Sequence, residues 1–291
     1  MEVKTALFGP AGNSESFTKA GYKSSCDAPR YLSERGLTAY EYQCGRGVLL
    51  GEETAKKIGD AAREYNIALS IHAPYYMNLS NPEEERQRKT VDYVLQSAKA
   101  ARLMGATRIT IHSGSLMKRE RAEALAIAKT TLKKVMQAMD ANGYGDITLC
   151  PELMGCTNQL GTLDEVLELC LIDERLIPCI DVGHYNARNF GILREEGDYA
   201  KIFDRMEEVL GYERVKSFHS HFSKIEYNNK SGEIRHLTFE DETFGPDFKP
   251  IAKIIAERGY TPRFICESAG TQAEDAMIMR DEYFKAKWLL E

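Results

Sequence analysis

A chain of 291 residues has room for one large domain or two small ones, and single α/β barrels commonly reach this size. With 43% hydrophobic residues, 28% charged residues and a net charge of −6, the chain has the composition of an ordinary globular protein. No stretch approaches the roughly 18 apolar residues that span a bilayer, so a soluble protein is expected, while the acidic balance gives no hint of a polyanion partner without forbidding one.

Taken in order, residues 5–8 read as a first strand, followed by a loop rich in turn formers at 9–14. Residues 29–35 suit a short helix, 38–42 alternate as a second strand, and 52–65 place Ala55, Ile58, Ala61 and Ala62 at helical spacing. The third strand, 67–72, leads to a long helix over 82–103 whose first turn is acidic and faces the positive end of the helix dipole. A fourth strand at 107–112 precedes a helix over 119–142, stopped by Gly143. The fifth strand ends at Glu152, and Thr162-Leu163-Asp164-Glu165 is a capping box that opens a helix to Leu171. A sixth strand ends at Asp181, with a helix over 199–210, and a seventh is expected to end at His219. A helix over 247–258, an eighth strand at 263–267 and a helix over 274–290 complete the chain.

Eight strand–helix units without a composition break predict a single-domain α/β fold, a (β/α)8 TIM barrel whose active site lies at the C-terminal ends of its strands. Residues 220–243 stand out as a long polar loop after the seventh strand, at that same face. The seven cysteines form no Cys-x-x-Cys pair and read as reduced, buried residues of a cytoplasmic protein; the N-terminus, Met1 to Gly9, lacks the apolar core of a signal peptide.

Apolar runs of strand length close repeatedly on a potential metal ligand: His72, His112, Glu152, Asp181, His219 and Glu267. The remaining histidines, 184, 221 and 236, fall in the loops after strands six and seven. A lone strand-end histidine is most often structural, and a lone Glu or Asp there often caps the next helix; neither reading explains the whole set. Imidazoles and carboxylates together suit Zn²⁺ or Mn²⁺, and a surplus over the three or so ligands of one catalytic ion suggests two or three ions and metal-assisted hydrolysis.

The chain resembles the endonuclease IV family of apurinic/apyrimidinic (AP) endonucleases, within the xylose-isomerase-like barrels. The resemblance rests on His72-Ala-Pro-Tyr75-Tyr-Met-Asn78, His112-Ser-Gly-Ser, Pro151-Glu152, Cys179-Ile-Asp181-Val-Gly-His184, Phe218-His219-Ser-His-Phe-Ser-Lys224, Arg235-His236 and Glu267. It implies a monomeric, zinc-dependent enzyme that cleaves damaged double-stranded DNA 5′ to an abasic site and leaves a 3′-hydroxyl. By match, His72, His112 and Glu152 would hold one ion, Glu152, Asp181, His219 and Glu267 a second, and His184 with His236 a third. Glu152 and Glu267 are then the candidate catalytic residues. Tyr75 and Arg46 match side chains that insert into DNA, and Lys224, Arg188 and Lys230 are candidate DNA contacts. Two departures stand out. Ile234 replaces the family's aspartate two residues before the histidine matched by His236, with Glu233 beside it, and the opening Gly-x-His-x-Ser motif is absent.

Two other readings compete. A sugar isomerase or epimerase on the same barrel needs one ion, and Glu152, Asp181, His219 and Glu267 reproduce its ligand set, with two carboxylates shuttling a proton next to a carbonyl. A binding protein without catalysis is supported only by Ile234. The extra histidines at 72, 112, 184 and 236 favour the nuclease.

Overall fold

The computed structural model describes residues 5–290. In chain order the elements are β1 (Leu7–Pro10), α1 (Glu15–Lys19), α2 (Ala28–Ser33), β2 (Ala39–Gln43), α3 (Glu52–Glu64), β3 (Ala68–His72), α4 (Glu84–Met104), β4 (Arg108–His112), α5 (Arg121–Ala141), β5 (Thr148–Glu152) and α6 (Leu163–Cys170). There follow β6 (Cys179–Asp181), α7 (Val182–Arg188), α8 (Glu196–Leu210), α9 (Tyr212–Val215), β7 (His219–Phe222), β8 (Ile225–Asn228), β9 (Gly232–His236), α10 (Lys249–Glu257), β10 (Arg263–Cys266) and α11 (Gln272–Trp288).

Eight parallel strands run in the order β1-β10-β7-β6-β5-β4-β3-β2, and β8 and β9 form a separate antiparallel hairpin. The two ends of this sheet meet: Thr38 donates its N–H to the Phe8 carbonyl and Gly12 to the Glu41 carbonyl, each at 2.9 Å. Gly9 makes that seam passable, because a Cβ there would lie 1.7 Å from the Ala39 carbonyl oxygen. Between strands and helices, an aromatic layer of Phe8, Phe218, Phe248 and Phe264 packs edge-to-face and stacked, with Phe248 and Phe264 centroids 5.0 Å apart. The architecture is the (β/α)8 barrel expected from the strand–helix alternation, and the Thr162–Glu165 capping box is formed as read. All seven cysteines are free and five are buried.

Three expectations need correction, all in the second half. The seventh strand does not end at His219 but begins there: its register pairs His219 with Cys179 of β6 and Arg263 of β10. The apolar run before it is spent differently, as Val215 ends α9 and Phe218 fills the core between strand and helix. Residues 220–243 are not one long loop, because their first three residues belong to β7 and the β8–β9 hairpin occupies most of the rest. Finally, α7 follows β6 immediately: the Asp181 side chain caps it by accepting the His184 backbone N–H at 2.7 Å.

Candidate metal centre

Strand register brings the site together. His112 and Glu152 are direct neighbours across β4 and β5, and Asp181 and His221 across β6 and β7, so each pair projects to the same end of the barrel. His72 ends β3, Glu267 follows β10, His184 sits on the first turn of α7, and Glu233 and His236 reach in from β9. Glu152 is the hub. Its Oε2 lies 3.3 Å from His72 Nε2 and 3.4 Å from His112 Nε2, while its Oε1 lies 3.0 Å from His221 Nδ1 and 3.6 Å from His184 Nδ1.

Among the described residues, four groups have ligand atoms within 4.8 Å of one another: His72–Glu152–His221, Glu152–Asp181–His221–Glu267, His184–Glu233–His236 and Cys179–His219–His221. The donor chemistry fits a cation. His72, His112 and His184 each place Nδ1 on a backbone carbonyl, of Ala73 at 2.7 Å, Tyr75 at 2.8 Å and Leu153 at 2.9 Å. A neutral ring that donates from Nδ1 offers only a lone pair at Nε2. His112 aims that lone pair at Glu152 Oε2, while His72 Nε2 faces the same oxygen and His184 Nε2 faces Glu233 Oε2, each 3.3 Å away. Two lone pairs at such distances repel unless a proton or metal ion lies between them. The buried Asp181 Oδ2 has no hydrogen-bond partner either, although its sister oxygen caps α7. Nitrogen and carboxylate ligands in these numbers suit zinc or manganese.

The buried charges respond to one another. Burial opposes ionisation of Glu152, but His221, His72 and His112 around it outweigh this and hold it well below the usual carboxylate range. Burial equally disfavours a charged His72, yet the hydrogen bond and charge of Glu152 push it up to about 9. Burial holds His112 down to about 4, which leaves it neutral and ready to ligate, and raises Asp181 to about 6.

His221, not His219, completes the central group. The two point to the same face of β7, two residues apart, and His219 lies one layer deeper with Nε2 2.9 Å from Glu41 Oε2. The resemblance set His219 beside Glu152, Asp181 and Glu267, and placing the strand's end early, at His219 instead of Phe222, agreed with that match. At the level of His219, its register neighbour Cys179 clusters with His219 and His221.

Ile234 is resolved by a β-bulge. Ladder pairs join Glu226 to Arg235 and Tyr227 to Glu233, leaving Ile234 as the extra, half-exposed residue. The bulge returns Glu233 and His236 to one face, 3.5 Å apart, and Ser223 holds His236 Nδ1 at 2.8 Å. Gly155 makes room for this group, since a Cβ there would meet Glu233 Oε2 at 2.4 Å and the His184 ring at 2.8 Å.

Of the expected DNA contacts, Tyr75 is 55% exposed at the rim, and Arg46 and Lys230 are exposed. Arg188 is not available: it is buried and donates to the carbonyls of Met154, Cys156 and Gln159. Lys224 is mostly covered and donates to the Asp241 carbonyl. Sequence reasoning missed Glu41, read only as part of an alternating strand. Its carboxylate is fully buried in the barrel. A charged residue at an inward position of a barrel strand was the available signal.

A family model described as xylose isomerase-like TIM barrel matches residues 29–283. The chain belongs to that family. Within it, an uncharacterised protein of Methanocaldococcus jannaschii is 31% identical over 249 residues, 86% of this chain and 88% of that one. A Mycoplasma pneumoniae protein named probable endonuclease 4 is 26% identical over 202 residues, 67% of this chain and 66% of its own. Among solved structures, endonuclease IV from Thermus thermophilus superposes with a TM-score of 0.68 at 15% identity, covering 97% of this chain and 100% of that one. A D-tagatose 3-epimerase-like protein reaches 0.67 at 19%, covering 90% and 93%. At these identities the two structural likenesses show the barrel fold alone and do not separate nuclease from epimerase.

Proposed function

We propose that this protein is a metal-dependent AP endonuclease that hydrolyses the DNA phosphodiester 5′ to an abasic site and leaves a 3′-hydroxyl. The observation that carries the reading is the His184–Glu233–His236 group, rebuilt by the Ile234 bulge beside a Glu152 whose two oxygens face different histidines. One ion needs only the Glu152–Asp181–His221–Glu267 set. The additional ligands suit two or three ions, zinc or manganese, which when bound would activate water and offset the charge of the reacting phosphodiester.

The chain's own part is to hold that constellation. Backbone carbonyls of Ala73, Tyr75 and Leu153 orient three imidazoles, and Glu152 spans two of the ligand groups. Glu267 is held down to about 2: burial opposes its charge, but His221 and His236 outweigh it, so with Glu152 it enters the reaction as an ionised catalytic carboxylate. Tyr75 and Arg46 stand at the rim where an unstacked lesion would meet the protein. Alongside, a cleft of about 460 Å³ between the loops after β3 and β4 carries Tyr76, Asn78, Arg86 and Lys89 and offers a path for flanking backbone. The relatives named endonuclease 4 agree with this reading.

The second reading, a single-ion sugar epimerase, has in its favour that the Glu152–Asp181–His221–Glu267 group is complete by itself. A duplex oligonucleotide with one abasic site separates the two. Incision 5′ to the lesion by the zinc-loaded protein, absent in Glu152→Ala, is expected. Intact DNA with a fully metal-loaded protein would overturn the nuclease and make keto-sugars the next substrates.

A further inference from the structure

One buried carboxylate lies outside the ligand groups but touches them. Glu41, on β2, is fully buried at a depth where the barrel should be packed with apolar side chains. It is held from several sides. Ser70 Oγ donates to Oε2 at 2.9 Å, Thr110 Oγ1 at 3.2 Å, and His219 Nε2 lies 2.9 Å from the same atom. Gln43 Nε2 donates to Oε1 at 3.2 Å. That oxygen also lies 2.9 Å from His221 Nε2.

His221 therefore stands among three carboxylates, with Nδ1 on the Glu152 and Glu267 side and Nε2 on the Glu41 side. A neutral imidazole carries one proton, and whichever nitrogen bears it cannot ligate. His221 Nε2 has no aligned hydrogen bond, but the broad torsion of the ring lets a small rotation bring its N–H onto Glu41 Oε1. The Cys179 thiol, also near this ring, is only a weak acceptor.

We propose that Glu41 is a positioning residue: it fixes the proton of His221 on Nε2, so that Nδ1 is the atom offered to the Glu152–Asp181–Glu267 group. Ligating histidines in metal centres are commonly oriented by a carboxylate on their far nitrogen, and removing such a partner typically weakens metal binding by about 10–100-fold. Here the partner is anchored by two hydroxyls, an amide and a second imidazole, which leaves it one orientation. The inference rests on the metal-centre part of the functional reading and not on the substrate, so it stands or falls independently of DNA cleavage.

The test uses the zinc-loaded protein and Glu41→Gln. Long-range ¹H–¹⁵N NMR of the loaded parent reports which His221 nitrogen bears the proton, with His221→Gln identifying the ring. A proton on Nε2 is expected. Competition with a chromogenic chelator is expected to show zinc bound about 10–100-fold more weakly by Glu41→Gln. Thermal melts confirm that this variant folds; if it does not, the parent spectrum alone decides. A His221 proton on Nδ1, or a folded Glu41→Gln that binds zinc as the parent does, would overturn the proposal.

Discussion

His219 and His221 share a strand face, and the difference between them is two residues of register. Metal analysis of loaded protein should show His221→Asn losing the central ion while His219→Asn keeps it, the latter destabilised by about 1–3 kcal/mol because Glu41 loses a buried partner. The same analysis should show Glu233→Ala losing the ion of the His184–His236 group, whereas Ile234→Ala, at the exposed bulge, retains it. Equal ion counts in Glu233→Ala and the parent would contradict the bulge account. His72 makes the site pH-dependent. Its value lies at about 9 against an ordinary 6.5, so in ion-free protein the charged ring stabilises the fold fully below pH 6.5 and loses this as pH rises through about 9. Zinc needs the neutral ring, so its affinity should climb by about tenfold per pH unit per displaced proton between pH 6.5 and 9. Flat affinity over that range would show that His72 does not ligate.

At the scale of elements, the first half of the barrel was legible because apolar strands alternate with amphipathic helices and end at Gly or a capping box. β3, β4 and β5 lie within a residue or so of their predicted ends. β7 was not legible, because its residues are His-Ser-His-Phe and the apolar run that mimics a strand lies just before it. The hairpin β8–β9 was hidden for a related reason, as its polar, bulged sequence carries no period-2 signal. Two glycines set geometry that no periodicity reveals. Gly9→Ala would drive a methyl into the Ala39 carbonyl at the barrel seam and should cost at least about 3 kcal/mol in a denaturant melt. Gly155→Ala would crowd Glu233 and His184, and is expected to lower the ion count while leaving the Glu152 group loaded. An unchanged ion count would mean that the third group is not a ligand site.

For the whole molecule, most of the site was readable as a list of residues and little of it as geometry. His72, His112, Glu152, Asp181 and Glu267 converge as their strand-end positions suggest, and His184 and His236, read as loop residues, join them from α7 and β9. What separates ligand from scaffold, as for Arg188, is side-chain burial and partner choice, which one sequence does not carry. No helix among the described residues is long and apolar enough to cross a membrane. With a net charge of −6, the proposed nuclease requires that bound ions supply the attraction for a phosphodiester at the barrel mouth. The most direct test of the account is therefore the number of zinc or manganese ions per chain, measured by native mass spectrometry on protein loaded and then dialysed. Two or three ions in the parent, falling by one in Glu233→Ala, is the predicted result. A single ion, insensitive to Glu233, would contradict the multi-ion centre and leave the epimerase-like reading in its place.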